Sequence, residues 1–134
     1  MELRYEDAAK VPKPRLLEQP EFGDIPGIGV EEMRDMMAAG EPVQVIDVRP
    51  RASVSRMQDI AEGVQWRDPE KLQQWMHELS KSEPVVVYCA YGFHVGCKTA
   101  IKLRDAGFDA KYMNSGHSGW KGIGAPLRLH NESP

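Results

Sequence analysis

The sequence predicts an α/β domain in which helices cover both faces of a parallel sheet. Segments of helical periodicity alternate with short β-branched runs along the chain. The clearest run, Pro84-Val85-Val86-Val87-Tyr88, is apolar throughout, as a central parallel strand covered on both faces should be. Glycines stand where helices must stop, at Gly40 and Gly107.

Each element can be justified in order. Residues 1–27 hold Pro12, Pro14, Pro20 and Pro26 with Gly23 and Gly27, a density that rules out a long helix and predicts an extended arm. The domain proper is expected over 28–128. Val30 to Ala39 has helical spacing, with Met33, Met36 and Met37 on one side and Glu31 and Glu32 in the first turn, where the helix dipole favours negative charge. Methionines so spaced read as core. Val43 to Val48 reads as a buried strand ending at Arg49-Pro50, and 51–68 carries no clear period. Pro69 to Leu79 predicts one helix, capped by Asp68 and presenting Leu72, Trp75, Met76 and Leu79 on one face. After the strand at 84–88, Cys97 to Ala106 reads as a helix, Asp109 to Met113 as a strand, and Gly116 to Gly122 as a turn leading into a short helix around Trp120. Residues 129–134 are read as a tail.

Composition narrows the function. A chain of 134 residues, 41% hydrophobic and 28% charged, fits one soluble globular domain. A net charge of -3 without charge blocks argues against nucleic acid or a membrane surface as partner. No run approaches the roughly 20 apolar residues of a membrane span, and Met1 to Lys10 lacks the apolar stretch of a signal peptide, which predicts a cytoplasmic protein. Two cysteines, Cys89 and Cys97, are too few for a disulfide scaffold, and neither they nor the dispersed histidines have the spacing of a metal site. No cofactor or metal is implied.

The chemistry centres on Cys89. It leaves a buried strand and enters the loop Ala90-Tyr91-Gly92-Phe93-His94-Val95 before a helix. Ligands of parallel α/β sheets bind beyond the carboxyl ends of the strands, where this cysteine stands. Backbone N–H groups of such a loop can point at the sulfur, and the following helix adds its positive end. Both favour a thiolate, the nucleophilic form, and would equally cradle a persulfide anion. Gly92 can supply a positive φ for the curl. The alternative reading is an inert cysteine buried at a strand end.

Several segments together resemble the rhodanese-like domain. Val85 to Cys89 with its loop is similar to that family's active-site strand. Pro42 to Arg49 resembles an early strand ending in Asp-x-Arg, and Ile60-Ala61-Glu62-Gly63-Val64 stands where the family has a glycine-containing turn. Ala106-Gly107-Phe108, Tyr112 to Gly116, Trp120 and Pro126 resemble its closing pattern. The resemblance covers roughly 28 to 128. It implies a rhodanese fold and a sulfurtransferase acting in two steps. The cysteine takes the outer sulfur of a donor, thiosulfate or a persulfide, and then yields it to a thiol or cyanide acceptor or to a sulfur-relay protein.

Departures from the pattern refine the expectation. The loop from Cys89 through His94 has no arginine or lysine, and His94 stands where a basic residue is common, so a dianionic donor is attracted less strongly. Phosphatases of similar fold place an arginine six residues after the cysteine to grip phosphate; here that residue is Val95, which argues against phosphoryl chemistry. Cys97 reads as a small helix residue in preference to a resolving thiol. Asp47 and Arg49 read as structural, Trp120 as core, Lys98 as solvent-facing, and His117 and Ser118 as solvated residues near the site. Tyr91 and Phe93 could frame the pocket mouth or dock a partner. Two competing functions remain at this stage: a non-catalytic module that binds a protein, and a redox sensor pairing Cys89 with Cys97.

Overall fold

The computed structural model describes residues 26–90 and 95–130, with backbone alone for 95–97. Most of the expected arm and tail, and the loop residues Tyr91, Gly92, Phe93 and His94, lie outside the described residues.

The described chain runs β1 (Gly27–Ile28), α1 (Val30–Ala38), β2 (Gln44–Asp47), α2 (Arg51–Arg56), β3 (Asp59–Ala61), β4 (Gln65–Trp66), α3 (Leu72–Trp75), β5 (Val85–Tyr88), α4 (Val95–Asp105), β6 (Ala110–Met113), α5 (Gly116–Gly122) and β7 (Leu127–Leu129). Five strands form one sheet in the order β1-β6-β5-β2-β4, and every pairing in it is parallel. The carboxyl ends of all five therefore share one rim. Strands β3 and β7 form a separate antiparallel pair with Ile60 opposite Arg128.

The alternation of side chains along a strand explains the two cores. Val85 and Val87 point to one face and pack with Leu72 and Trp75 of α3, Ala100 and Leu103 of α4, and Phe108. Val86 and Tyr88 point to the other, with Met33 of α1 and Trp120 of α5. All four residues of β5 are buried, and each fully buried aliphatic side chain contributes about 1.5–3 kcal/mol.

Helix ends follow local chemistry. At the end of α4, Gly107 adopts φ 98°, and the Gly107 and Phe108 amides donate to the Arg104 and Leu103 carbonyls. This closing pattern satisfies helix-end carbonyls and seats Phe108 beside Leu103. Helix α1 packs Met33 fully and Met36 and Met37 partly, as the spacing predicts.

The structure departs from expectation in several places. The single helix predicted over Pro69 to Leu79 is divided: a 3-10 turn at Pro69–Lys71, then α3, then a 3-10 turn at Met76–Glu78. The buried residues Leu72 and Trp75 both fall in the α-helical piece, the flanking 3-10 turns bury no residue, and the Asp68 carboxylate caps the Glu70 amide at 3.0 Å as expected. The unassigned stretch 51–68 contains α2, β3 and β4, and β1 and β7 are further strands that the sequence pattern did not announce. Helix α4 begins at Val95, two residues before the expected start. No helix among the described residues is long and apolar enough to cross a membrane.

Candidate functional site

Cys89 follows directly on β5, the middle strand of the sheet, and is 7% exposed. It is the free cysteine among the described residues. The Val48 amide donates to the Tyr88 carbonyl at 2.8 Å and fixes the strand end beneath it. Beyond that point the chain is held from the side by α5. The His117 amide donates to the Cys89 carbonyl at 2.8 Å, and the Ser118 amide donates to the Ala90 carbonyl at 2.9 Å. Amides in the first turn of a helix have no partner within the helix. Here those two are taken up by the residue that bears the sulfur and by its neighbour.

Helix α5 enters this position through an unusual residue. Ser115 precedes it in the left-handed conformation, φ 67°, the one non-glycine with positive φ among the described residues. Trp120, 2% exposed, anchors the helix from below and donates from its indole nitrogen to the Pro126 carbonyl at 2.7 Å.

The buried polar groups around the rim form two connected sets. Asp47, at the end of β2, is fully buried with Arg49: the Arg49 Nε donates to both carboxylate oxygens, at 2.9 and 3.1 Å, and the Arg49 amide donates to Oδ1 at 2.9 Å. Burial pushes the Asp47 carboxyl up to about 6, outweighing the pull of Arg49 in the opposite direction. Burial, then the Asp47 charge, holds the Tyr88 phenol well above its ordinary value. These roles are structural, as the sequence predicts for Asp47 and Arg49.

The second set corrects the expectation for His117. It is not a solvated loop residue but 1% exposed, with its ring stacked at 10° to the Tyr88 ring and 6.4 Å from it. Its Nε2 lies 3.0 Å from Asp59 Oδ1, and Lys121 Nζ lies 2.8 Å from Asp59 Oδ2. Burial lowers the His117 value. Facing a carboxylate, which only accepts, Nε2 is the donor, and Nδ1 has no hydrogen-bond partner. Asp59 pays a burial penalty of its own, yet the hydrogen bonds from Lys121 and His117 hold its carboxyl below the usual range. Ser118 and Lys98 are exposed, as expected.

Of the predicted sulfur cradle, the structure places Cys89 and Ala90 at the rim and Val95 at the start of α4. Tyr91, Gly92, Phe93 and His94 lie outside the described residues, as do the side chains of Val95 and Cys97. Asp59 carried no sequence signal: it lies in the stretch without period, 58 residues from the histidine it meets. A hollow of about 680 Å³ opens elsewhere, beside Leu72, Met76, Lys102 and Asp105, and includes no residue of the Cys89 rim.

Comparison with known proteins agrees with this architecture. Residues 29–123 match the family model of the rhodanese-like domain. A solved protein from Lactobacillus plantarum is 31% identical, with a TM-score of 0.64, over 75% of this chain and 86% of that one. A rhodanese-like domain protein from Staphylococcus aureus has the same fold at 21% identity and a TM-score of 0.68, over 81% of this chain and 100% of that one. A thiosulfate sulfurtransferase from Pseudomonas aeruginosa shares the fold at 20% identity and a TM-score of 0.68, over 81% of this chain and 20% of its own. No curated protein matches the chain by sequence.

Proposed function

The chain belongs to the rhodanese-like domain family, and from that premise we propose that it is a sulfurtransferase carrying sulfane sulfur as a persulfide on Cys89. The observation that carries the reading is the place of Cys89 at the carboxyl end of the central parallel strand, in a family that includes sulfurtransferases.

The reaction divides into two displacements. The Cys89 thiolate attacks the outer sulfur of the donor; with thiosulfate, a Cys89 S–S bond forms, the donor S–S bond breaks, and sulfite leaves with the electron pair. The terminal persulfide sulfur is then attacked by a thiolate or cyanide, and Cys89 departs as thiolate. No external oxidant or reductant is consumed. The His117 and Ser118 amides are already committed to the Cys89 and Ala90 carbonyls, so neither is available to stabilise the anions of sulfur. A loop with His94 and no arginine or lysine suits a persulfide donor, from a small thiol or a relay protein, at least as well as thiosulfate. A cytoplasmic setting fits this chemistry, since a reducing compartment keeps the thiol available.

Intact mass after incubation with thiosulfate, and separately with a small-molecule persulfide, tests the assignment. The expected result is a gain of one sulfur atom that disappears in Cys89→Ser. Absence of an adduct with either donor overturns it and leaves a non-catalytic binding module. A loss of two hydrogens on mild oxidation, with no sulfur gain, would instead identify a Cys89–Cys97 redox pair.

A further inference from the structure

We propose that Asp59 is a positioning residue for Cys89, acting through the first turn of α5; this rests on the reading of Cys89 as the reactive sulfur. One carboxylate holds two residues one helical turn apart, with Oδ1 3.0 Å from His117 Nε2 and Oδ2 2.8 Å from Lys121 Nζ. Both contacts fall on α5, whose His117 and Ser118 amides grip the Cys89 and Ala90 carbonyls.

Asp59 is itself fixed to the sheet. The Arg49 guanidinium donates to the Asp59 carbonyl at 2.8 Å and is locked to Asp47 at the end of β2. Strand β2 runs beside β5, with Asp47 opposite Tyr88. The links therefore close a ring around the carboxyl rim: β2 to Arg49, Arg49 to Asp59, Asp59 to α5, α5 to Cys89, and β5 back to β2.

Two features mark this as a positioning device instead of a stabilising ion pair. The Asp59 side chain is 27% exposed and Lys121 39%, a setting in which an ion pair adds little to stability. His117 is 1% exposed and has no hydrogen-bond partner at Nδ1, so Asp59, at Nε2, sets the tautomer of a ring that also stacks on Tyr88.

The test measures alkylation of Cys89 by iodoacetamide in a Cys97→Ser background, with melting temperature recorded for each variant. Asp59→Ala is expected to slow alkylation about tenfold at neutral pH, since the reactivity of a thiol follows the electropositive surroundings and access of the sulfur, which α5 holds in place. Asp59→Asn keeps an oxygen acceptor for the His117 Nε2–H and is expected to restore most of the lost rate. A rate in Asp59→Ala equal to or above that of the parent overturns the proposal, and so does an Asp59→Asn rate as low as that of alanine. The Asp59 side chain is partly exposed, and the melting temperature of each variant separates a change in the rate from a loss of the fold. Alkylation needs no sulfur donor. Failure of sulfur uptake would therefore sink the sulfurtransferase assignment and leave this measurement intact, whereas failure here would leave sulfur uptake in place.

Discussion

Asp47 and Arg49 stand two residues apart at the end of β2 and form an ion pair sealed from solvent, with Nε 2.9 Å from Oδ2 and side-chain exposures of 0% and 1%. The guanidinium also donates to the Asp59 carbonyl at 2.8 Å. Removing one member of a buried pair leaves the other charged in a poor solvent. Arg49→Met should cost about 3–5 kcal/mol in urea unfolding at pH 8. The penalty should shrink at pH 5. Burial already raises the Asp47 carboxyl from 3.8 to about 6, so the folded protein binds a proton between those values while the unfolded chain does not. That contribution is complete below 3.8 and is lost as pH rises through 6. In the variant, the abandoned carboxylate can therefore neutralise itself in acid and not in base. A penalty equal at both pH values would contradict this account.

His117 drives stability in the opposite direction. Burial lowers its folded value below the ordinary 6.5, despite the favourable bond to Asp59. Between the folded and unfolded values the unfolded chain binds a proton that the folded protein refuses. Stability from this residue is thus full above 6.5 and falls as pH drops below it. His117→Phe keeps an aromatic ring over Tyr88 and removes the titration. Its stability should decline less than that of the parent between pH 7 and pH 5 in matched denaturant series. His130 is also lowered, first by burial, and His130→Asn serves as the control for its share. Parallel curves for parent and His117→Phe would refute the assignment.

Gln44 offers a smaller, local test. Its side-chain nitrogen donates to the Ser80 carbonyl at 2.8 Å and the Glu83 carbonyl at 3.2 Å, and its oxygen accepts from the Ser80 amide at 2.8 Å. One side chain thereby ties the turn that feeds β5 to the neighbouring strand β2. Water can replace part of this clamp, so Gln44→Ala should cost about 1 kcal/mol. Amide hydrogen exchange at Ser80 should quicken while that of Val86 is unchanged.

What could be read from the sequence tracks how local the signal is. Strand β5 and Cys89 at its end were legible because an apolar β-branched run needs no partner to be recognised. The Asp68 cap was legible because cap and amide are two residues apart. Strands β1, β4 and β7 were not: runs of two or three residues are too short to show a period of two. Sheet pairing alone defines them. The Asp59–His117 contact was equally invisible, because a histidine beside a glycine turn looks the same whether it is solvated or folded beneath the rim. The burial of Tyr88 and Trp120 on that face, a tertiary property, decides it.

Ser115 and Gly119 provide a test of the helix that holds Cys89. Ser115 adopts φ 67°, a conformation that costs an L-residue roughly 1 kcal/mol, so Ser115→Gly removes strain and should leave stability unchanged or slightly raised once glycine's extra unfolded-state entropy is counted. Gly119 sits one turn later, where an added Cβ would lie 2.4 Å from the Ser115 Cβ and 3.3 Å from Val30 Cγ1. The first distance is below any tolerable carbon contact, so Gly119→Ala must shift Ser115 or the first turn of α5. Overpacking of this kind should cost about 1–3 kcal/mol. The two positions are in contact, so their effects should not add. In the Ser115→Gly background the offending Cβ is gone, and the Gly119→Ala penalty should fall by about 1 kcal/mol or more, leaving the milder contact with Val30. Urea unfolding of the four proteins in this cycle decides the matter: additive penalties would mean that the clash is not what keeps residue 119 a glycine.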